Sequence, residues 1–406
     1  MIVVAQLGAR MHYAVPAILA RSGFLERFYT DIYTPRLPEP LRRLASLIGP
    51  SPLKRLLGRA SDEIPADKTI SFPIMGMEYR RRRHFAGSRG STTAIDLWAG
   101  AEFCRRVIRQ GLGKAKFVYT YNSAGLELME HARSRGLFPI TEQTFAPEAI
   151  YQEILRREEE IQQGWGISPA RNPLTPAYEE REKMEWSAAA LILCGSDFVR
   201  DGIRKMGGPV ERCRVVPYGV RPAPPTAPRD SPHDPVRVLT VGTVGLRKGA
   251  PYVAEAARIL DRRATFRWAG PLDLSPHARK LLAERVTLLG AVPRSDIHRQ
   301  FAWADVFLLP TLCEGSATVC YEAHSRGLPV ITTPNAGSVI RDGVDGFIVP
   351  IRDAAAIADQ VERLASQRDL WAEMSANAQA RAAEYSFERY GERLVGALMD
   401  AGLTAN

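Results

Sequence analysis

The amino-acid sequence predicts an α/β protein made of two doubly wound, parallel-sheet domains that face a central cleft. Three observations carry this. The chain has 406 residues, which suits two or three domains at about 150 residues each. Strand and helix patterns alternate along nearly all of it, as a parallel sheet with crossover helices requires. A proline-dense stretch, PYGVRPAPPTAPRDSPHDP over 217–235, interrupts the alternation, which then restarts. Proline fixes φ and lacks an amide hydrogen, so the stretch propagates neither helix nor ladder and reads as a linker.

The first domain is assigned to 1–220. It opens with an apolar strand over 2–7, followed by a helix that starts near His12 and runs to 22. Later strands are expected at 117–121, 139–144, 191–194 and 214–217, with helices between them, including the charged stretch 148–162. The linker proper is 221–235, and the second domain is 236–385. Its first strand, 236–241, is nearly continuous in apolar residues, as burial on both faces demands. Helix 251–260, strand 265–269, helix 276–283, strand 286–289, helix 296–302, strand 306–309, helix 318–326 and strand 329–332 follow. The chain closes with helices at 354–366, 370–385 and 387–399.

Composition bounds the function. Hydrophobic residues make up 45 % and charged residues 24 %, the values of an ordinary globular protein. The five cysteines are scattered and odd in number, with no C-x-x-C, which disfavours a disulfide framework or a zinc site and fits a reducing compartment. The segment from Met1 to Gln6 lacks a basic region and a cleavage site, and reads as a buried strand, not a signal peptide. No apolar run of about 18 residues occurs, so no membrane-spanning helix is expected. The expected location is the cytoplasm, peripheral on the inner membrane face. The formal net charge of +9 favours anionic partners. Arg42, Arg43, Lys54, Arg55 and Arg59 interleave with leucines, and Arg80, Arg81, Arg82 and Arg83 run together. These are either a solvated face or a contact for an anionic membrane surface or a phosphorylated acceptor.

Two motifs carry chemistry. The first is Gly242-Thr243-Val244-Gly245-Leu246-Arg247-Lys248-Gly249, between a strand and a helix. Ligands of open α/β sheets sit beyond the carboxyl ends of strands. Glycines admit a phosphate to the backbone, the helix N-terminus favours an anion, and Arg247 and Lys248 add fixed positive charge. Such cations stabilise the charge that develops on a departing diphosphate. Against this stands a plain tight turn with two surface cations. The second motif places Glu314 in the loop after a strand and Glu322 inside the next helix, with seven residues between. The amides of Ser316, Ala317 and Thr318 lie between them, at a helix N-terminus. One carboxylate can hold sugar hydroxyls and the other a ribose diol. The bland alternative is surface solvation and a capping charge.

Taken together these motifs resemble glycosyltransferase family 4, a group of retaining enzymes of the GT-B architecture with two Rossmann-like domains. The E-x7-E pattern is matched by Glu314 and Glu322, the glycine–lysine loop by Gly242 to Gly249, and the family's helix-to-strand passage by Cys320 to Val330. Val344 to Val349 matches a further turn. The resemblance is close over 190–390 and holds only in outline before that. It implies that the final helix, 386–406, packs back on the first domain. It implies transfer of a sugar from a nucleotide-diphosphate sugar to a hydroxyl acceptor, a glycan or lipid-linked glycan, in polysaccharide or glycolipid synthesis. Lys248 would pair with the diphosphate, Glu314 would hold the transferred sugar and stabilise its developing charge, and Glu322 would bind the ribose. Amides of Ser316, Ala317 and Thr318 would contact sugar and phosphate. Val292 would hold the base, and the loop Gly8-Ala9-Arg10 would face the donor from the other domain. One departure stands out: relatives often carry arginine where this chain has Thr243, so Arg247 is the substitute second cation.

The nucleotide sugar would act as co-substrate, with no other cofactor. No Asp-x-Asp and no histidine–carboxylate cluster appears, and the resemblance implies metal independence. On the acceptor side the candidates are His12 and Glu142, at or just beyond strand ends, with Gln143 beside the latter. Cys313 and Cys320 read as packing. A nicotinamide dehydrogenase would need G-x-G-x-x-G and a P-loop kinase G-x-x-x-x-G-K-[ST]; neither is present. A sugar-nucleotide epimerase or phosphorylase of the same architecture, and a non-catalytic module for membranes or anionic ligands, stay open. Nucleic acid is not expected as a partner, because no aromatics interleave the arginine run.

Overall fold

The computed structural model describes residues 1–34, 59–166, 172–221 and 231–404. Arg42, Arg43, Lys54 and Arg55, and most of the expected linker, lie outside the described residues; Arg59 lies within them.

The N-terminal half forms a parallel sheet of seven strands: β1 (Ile2–Gln6), β2 (Leu25–Thr30), β3 (Thr69–Ser71), β4 (Phe117–Tyr121), β5 (Phe138–Gln143), β6 (Leu191–Cys194) and β7 (Cys213–Val215). Their spatial order is β3-β2-β1-β4-β5-β6-β7. Every residue of β1 and of β4 is buried, because helices cover both faces. The helices of this half are α1 (Ala14–Arg21), α2 (Pro73–His84), α3 (Arg89–Gln110), α4 (Leu126–Ser134), α5 (Glu148–Ile161), α6 (Thr175–Ala188) and α7 (Asp197–Lys205).

The C-terminal half repeats the plan. Its main sheet runs β12-β10-β8-β13-β14-β15, all parallel. The strands are β8 (Val236–Val241), β10 (Ala264–Ala269), β12 (Val286–Gly290), β13 (Val306–Leu309), β14 (Val330–Thr332) and β15 (Gly346–Ile348). A small parallel pair joins β9 (Val244–Gly245) to β11 (Leu272–Asp273). Its helices are α8 (Ala250–Leu260), α9 (Pro276–Ala283), α10 (Ile297–Trp303), α11 (Thr318–His324), α12 (Ala354–Ser366) and α13 (Arg368–Glu384). The last helix, α14 (Phe387–Asp400), buries Phe387, Tyr390, Leu394 and Leu398 against Ile18, Leu19 and the rest of the first half's core. Ser386 caps it by accepting from the Arg389 amide at 3.3 Å.

In each sheet the chain departs in both directions from its first strand. The switch point lies between β1 and β4 in one sheet and between β8 and β13 in the other. A crevice opens at such points beyond the strands' carboxyl ends.

Three details differ from the sequence expectation. The first helix does not start near His12: Met11, His12 and Tyr13 have φ of 44°, 52° and 64°, and the α-helix begins only at Ala14. Left-handed backbone at three consecutive non-glycine residues is costly, and no local propensity signals it. The strand expected at 214–217 is Cys213–Val215. Residues 344–349, read as a turn, include the edge strand β15. Among the described residues, no helix is long and apolar enough to cross a membrane, and all five cysteines are buried and free.

Candidate functional site at the second switch point

The loops after β8 and β13 flank the second switch point and touch. Gly249 makes the contact possible: its φ is 76°, and a Cβ there would stand 2.2 Å from the Pro310 carbonyl oxygen. Leu312 N–H donates to the Arg247 carbonyl oxygen (2.8 Å), and so does Thr311 Oγ1 (3.0 Å). Between β9 and α8 the chain makes a single tight turn over Leu246–Lys248. That turn points two cations at the same carboxylate.

Lys248 is only 7 % exposed. Its Nζ lies 2.5 Å from Glu314 Oε1. Arg247 Nη1 pairs with the same Glu314 oxygen and donates to the Cys313 carbonyl (3.1 Å). Thr311 Oγ1 stands 3.2 Å from it as well. Burial pushes the Glu314 carboxyl up, but Lys248 and then Arg247 outweigh it and hold the group below the usual carboxylate range. The site therefore holds an ionised glutamate with an excess of one positive charge.

Glu322 sits in the second turn of α11 with its side chain 30 % exposed, and Arg294 Nη2 is 4.0 Å from its Oε1. It is an accessible carboxylate at the mouth. The connecting loop is clamped by the other domain. Ser196 Oγ donates to the Gly315 carbonyl. A Cβ on Gly315 would fall 1.9 Å from the Thr144 carbonyl oxygen, so only glycine fits. Among the described residues the amides of Ser316 and Thr318 make no hydrogen bond, leaving two donors at the start of α11. The Ala317 amide differs from the expectation: it donates to the Ala336 carbonyl (3.0 Å) and is unavailable to a ligand. Ser316 Oγ is 2.9 Å from Tyr321 Oη.

The remaining expected residues divide. Gly242 (φ 130°) arches over the Lys248 side chain, and Thr243 follows it in the same loop. Val292 is half-buried in the loop beyond β12, two residues past Gly290 (φ 66°). Gly8 (φ 86°) lies at the cleft, but its amide donates to Asp31 Oδ1 (2.9 Å), so it offers backbone space and not a donor. His12 bridges the domains through Nε2 and Arg294 Nη1. Burial, then Arg294 and Arg221, push its pKa down, so the ring is neutral at pH 7. Glu142 is not on an acceptor surface. It is 4 % exposed and accepts from Tyr119 Oη and from Tyr218 Oη (2.7 Å). Both oxygens are thus taken, and burial pushes its pKa up. Nearby Gln143 is also buried and bonded to Glu182 (2.7 Å).

Sequence reasoning missed Thr311, Arg294 and Ser196. Thr311 stands three residues before Glu314 in the same loop, which was a legible signal. Arg294 and Ser196 reach the site only through tertiary packing. Among the described residues, no group of three or more histidine, cysteine or acidic side chains is placed to hold a metal ion.

Comparisons with known proteins agree with this geometry. Residues 235–367 match the family described as glycosyl transferases group 1. The amylovoran biosynthesis glycosyltransferase AmsK of Erwinia amylovora is 32 % identical over 176 residues, 39 % of this chain and 43 % of the relative. The alpha-D-kanosaminyltransferase of Streptomyces kanamyceticus is 29 % identical over 248 residues, 56 % of this chain and 64 % of the relative. The match thus spans about half the length of these relatives. Among solved structures, Anabaena Alr3699/HepE in complex with UDP-glucose superposes with a TM-score of 0.61 at 14 % identity, covering 98 % of this chain and 99 % of that one. That likeness establishes the fold, the GT-B arrangement of two Rossmann-like sheets. The matched residues 235–367 carry Arg247, Lys248, Glu314 and Glu322, so the likeness to glycosyl transferases group 1 falls on the site itself.

Proposed function

We propose that the chain transfers a sugar from a nucleotide-diphosphate sugar to a hydroxyl acceptor, with retention of anomeric configuration and without a metal ion. The observation that carries the reading is the convergence of Lys248 and Arg247 on Glu314 at the second switch point, with Glu322 accessible at its rim. In this reading the donor diphosphate takes the place of the Glu314 carboxylate against the two cations. As the bond from the anomeric carbon to the phosphate oxygen breaks, Lys248 and Arg247 stabilise the charge left on that oxygen. Glu314, released toward the sugar, holds its hydroxyls and faces the developing positive charge at the anomeric carbon. The acceptor oxygen bonds to that carbon from the face the diphosphate leaves. Its proton passes to the departing phosphate oxygen. Glu322 holds the ribose diol, and the amides of Ser316 and Thr318 receive sugar or phosphate oxygens.

The same reading places the protein in the cytoplasm, peripheral on the inner membrane face, in polysaccharide or glycolipid synthesis. Helix α2 supports it. Ile74 and Met77 on the helix, and Phe85 at its C-cap, are 75 %, 58 % and 76 % exposed and lie on the side of exposed Arg81. Apolar and cationic side chains on one face suit an anionic interface. Loss of binding to phosphatidylglycerol vesicles in Ile74→Ser/Phe85→Ser would support this, and unchanged binding would refute it.

The first test is a thermal-shift screen with UDP, GDP and ADP on wild type and Glu322→Ala. A ligand of the folded state raises Tm by mass action. One nucleotide should stabilise wild type and not the variant; no response to any of them would remove the reading. With the nucleotide known, a product carrying the sugar on an acceptor separates transfer from isomerisation of the donor. NMR of the product's anomeric centre tests retention, and full activity in chelator tests metal independence.

A further inference from the structure

The carboxyl ends of β1 and β2, across the cleft from Glu314, hold charge that the donor chemistry does not use. Asp31 follows β2 and is 1 % exposed. Its Oδ1 accepts from the Gly8 amide (2.9 Å), and its Oδ2 pairs with Arg59 Nη1 (2.8 Å). Helix α2 crosses directly over it: a Cβ on Gly76 would lie 3.2 Å from Asp31 Cβ and 2.6 Å from Ile32 Cγ1. One turn later, on the same face, α2 carries Arg80.

Arg80 is half-buried, and among the described residues it has no hydrogen bond and no ion pair. Of its neighbours on the helix, Arg81 is exposed to solvent, while Arg82 and Arg83 have partners. Arg82 pairs with Glu78 (2.5 Å) and stacks on Trp98 at 4.0 Å, and Arg83 reaches Asp96 at 3.3 Å. Among the described residues the carboxylate that acts on Arg80 is Asp31, whose two oxygens already serve Gly8 and Arg59. Burial, and then the Arg59 guanidinium, disfavour its charge, with Asp31 opposing them only in part. A sheltered, unmatched guanidinium is costly, and an arriving anion relieves that cost. The fork of donors on guanidinium fits a phosphoryl group two oxygens at a time.

We infer that Arg80, with Arg59 beside it, binds a phosphoryl group of the acceptor at the carboxyl ends of β1 and β2. The inference rests on the transferase reading for the word acceptor. It deepens that reading by naming the acceptor class: a hydroxyl compound that carries phosphate near the hydroxyl to be glycosylated. The phosphate belongs either to a soluble phosphate ester or to a lipid headgroup.

The test is a titration of the full chain with inorganic phosphate, at ionic strength matched with chloride. Saturating UDP blocks the cations at Lys248. Wild type is expected to bind phosphate, and Arg80→Gln to bind at least about fivefold more weakly. Arg80→Lys should fall between, because lysine keeps the charge and lacks the fork. Arg82→Gln should match wild type. An unchanged UDP response shows that each variant is folded. Equal phosphate affinity in wild type and Arg80→Gln would overturn the inference. If UDP does not bind wild type, the transferase reading fails separately, and the titration is repeated in a Lys248→Ala background, where the Arg80 comparison still decides the anion site. Glycerol 3-phosphate and short-chain phosphatidic acid then assign the source. Tenfold preference for the lipid points to a headgroup, and equal affinity to a soluble ester.

Discussion

Each half of the molecule places a glutamate at or beyond the carboxyl end of an inner strand, and each treats it differently. Glu142, on β5, is enclosed by the hydroxyls of Tyr119 and Tyr218, and burial raises its pKa. Glu314, in the loop after β13, is sheltered too, yet Lys248 and Arg247 hold its pKa down. Position at a strand end is common to both. The partner set separates a structural carboxyl, locked by two fixed donors, from one whose partners are cations that a polyanion can recruit. In the proposed reaction Glu314 is thus a resident stand-in for the donor diphosphate.

The largest effect should come from removing the cation that, in the proposed reaction, Glu314 shares with the donor. Lys248→Ala is expected to lower turnover by about 100- to 1000-fold, the usual cost of one donor aimed at developing charge. Its Tm should change little, because Arg247 stays on Glu314. Steady-state kinetics beside a melting curve check this. Glu142→Gln, by contrast, should leave kcat within about threefold. If both variants lost activity alike with folding intact, the contrast between the two glutamates would be broken.

A second effect concerns the seam between the halves. Glu158, on α5, is fully buried; it accepts from Tyr252 Oη (2.6 Å) and pairs with Arg352 Nε (2.7 Å), both from the C-terminal half. The Ser275 amide also donates to the Trp165 carbonyl (3.0 Å), just beyond α5. Removing one partner of a buried pair strands the other. Because Arg352 is 18 % exposed, Glu158→Ala should cost about 2–3 kcal/mol in denaturant unfolding, below the figure of about 3–5 for full burial. A loss under about 0.5 kcal/mol would show that the seam is held by apolar packing alone.

Acid titration sharpens the comparison further. A depressed pKa adds stability that is present above the unfolded value, 4.5 for Glu314, and is lost as pH falls through the folded one. Glu314→Gln should therefore melt below wild type at pH 7, and the two Tm curves should draw together as pH falls below 4.5. A gap that stays constant with pH would mean that Glu314 contributes through shape and not charge.

The contrast also explains what the sequence could disclose. The second half was legible because its strands are short apolar runs and its chemistry is local: Arg247, Lys248 and Glu314 lie in two loops, and Glu322 in the helix that follows the second, so their spacing sets their meeting point. In the first half the decisive contacts are long-range. Tyr218 reaches Glu142 across 76 positions of sequence, and His12 meets Arg294 across 282. Glu142 was therefore read as an acceptor contact when it is a core carboxyl. The helix was expected to start near His12, inside the left-handed run Met11 to Tyr13, because the packing that holds this run, such as Tyr13 Oη on the Ile32 carbonyl, comes from elsewhere. The Ala317 amide was assigned to ligand because nothing in its neighbours shows that Ala336 folds back onto it.

The smallest effect is the mirror image of the Glu314 titration. Burial raises the Glu142 pKa, with Tyr119 and Tyr218 acting the other way. A raised carboxyl pKa means that the folded state keeps its proton longer than the unfolded chain. The resulting stability is present below the unfolded value of 4.5 and is lost as pH rises through the folded one. Glutamine is the neutral analogue and has nothing to titrate. Relative to wild type, Glu142→Gln should thus gain stability as pH rises from about 4.5 toward neutrality, the opposite sense to Glu314→Gln. Glu142→Ala should instead cost about 1–3 kcal/mol at every pH, because two buried tyrosine hydroxyls lose their acceptor. Melting curves of the three proteins between pH 4 and 8 separate these cases. A Glu142→Gln curve that runs parallel to wild type would show that Glu142 is ionised in the fold, and the two glutamates would then differ only in their surroundings and not in their charge.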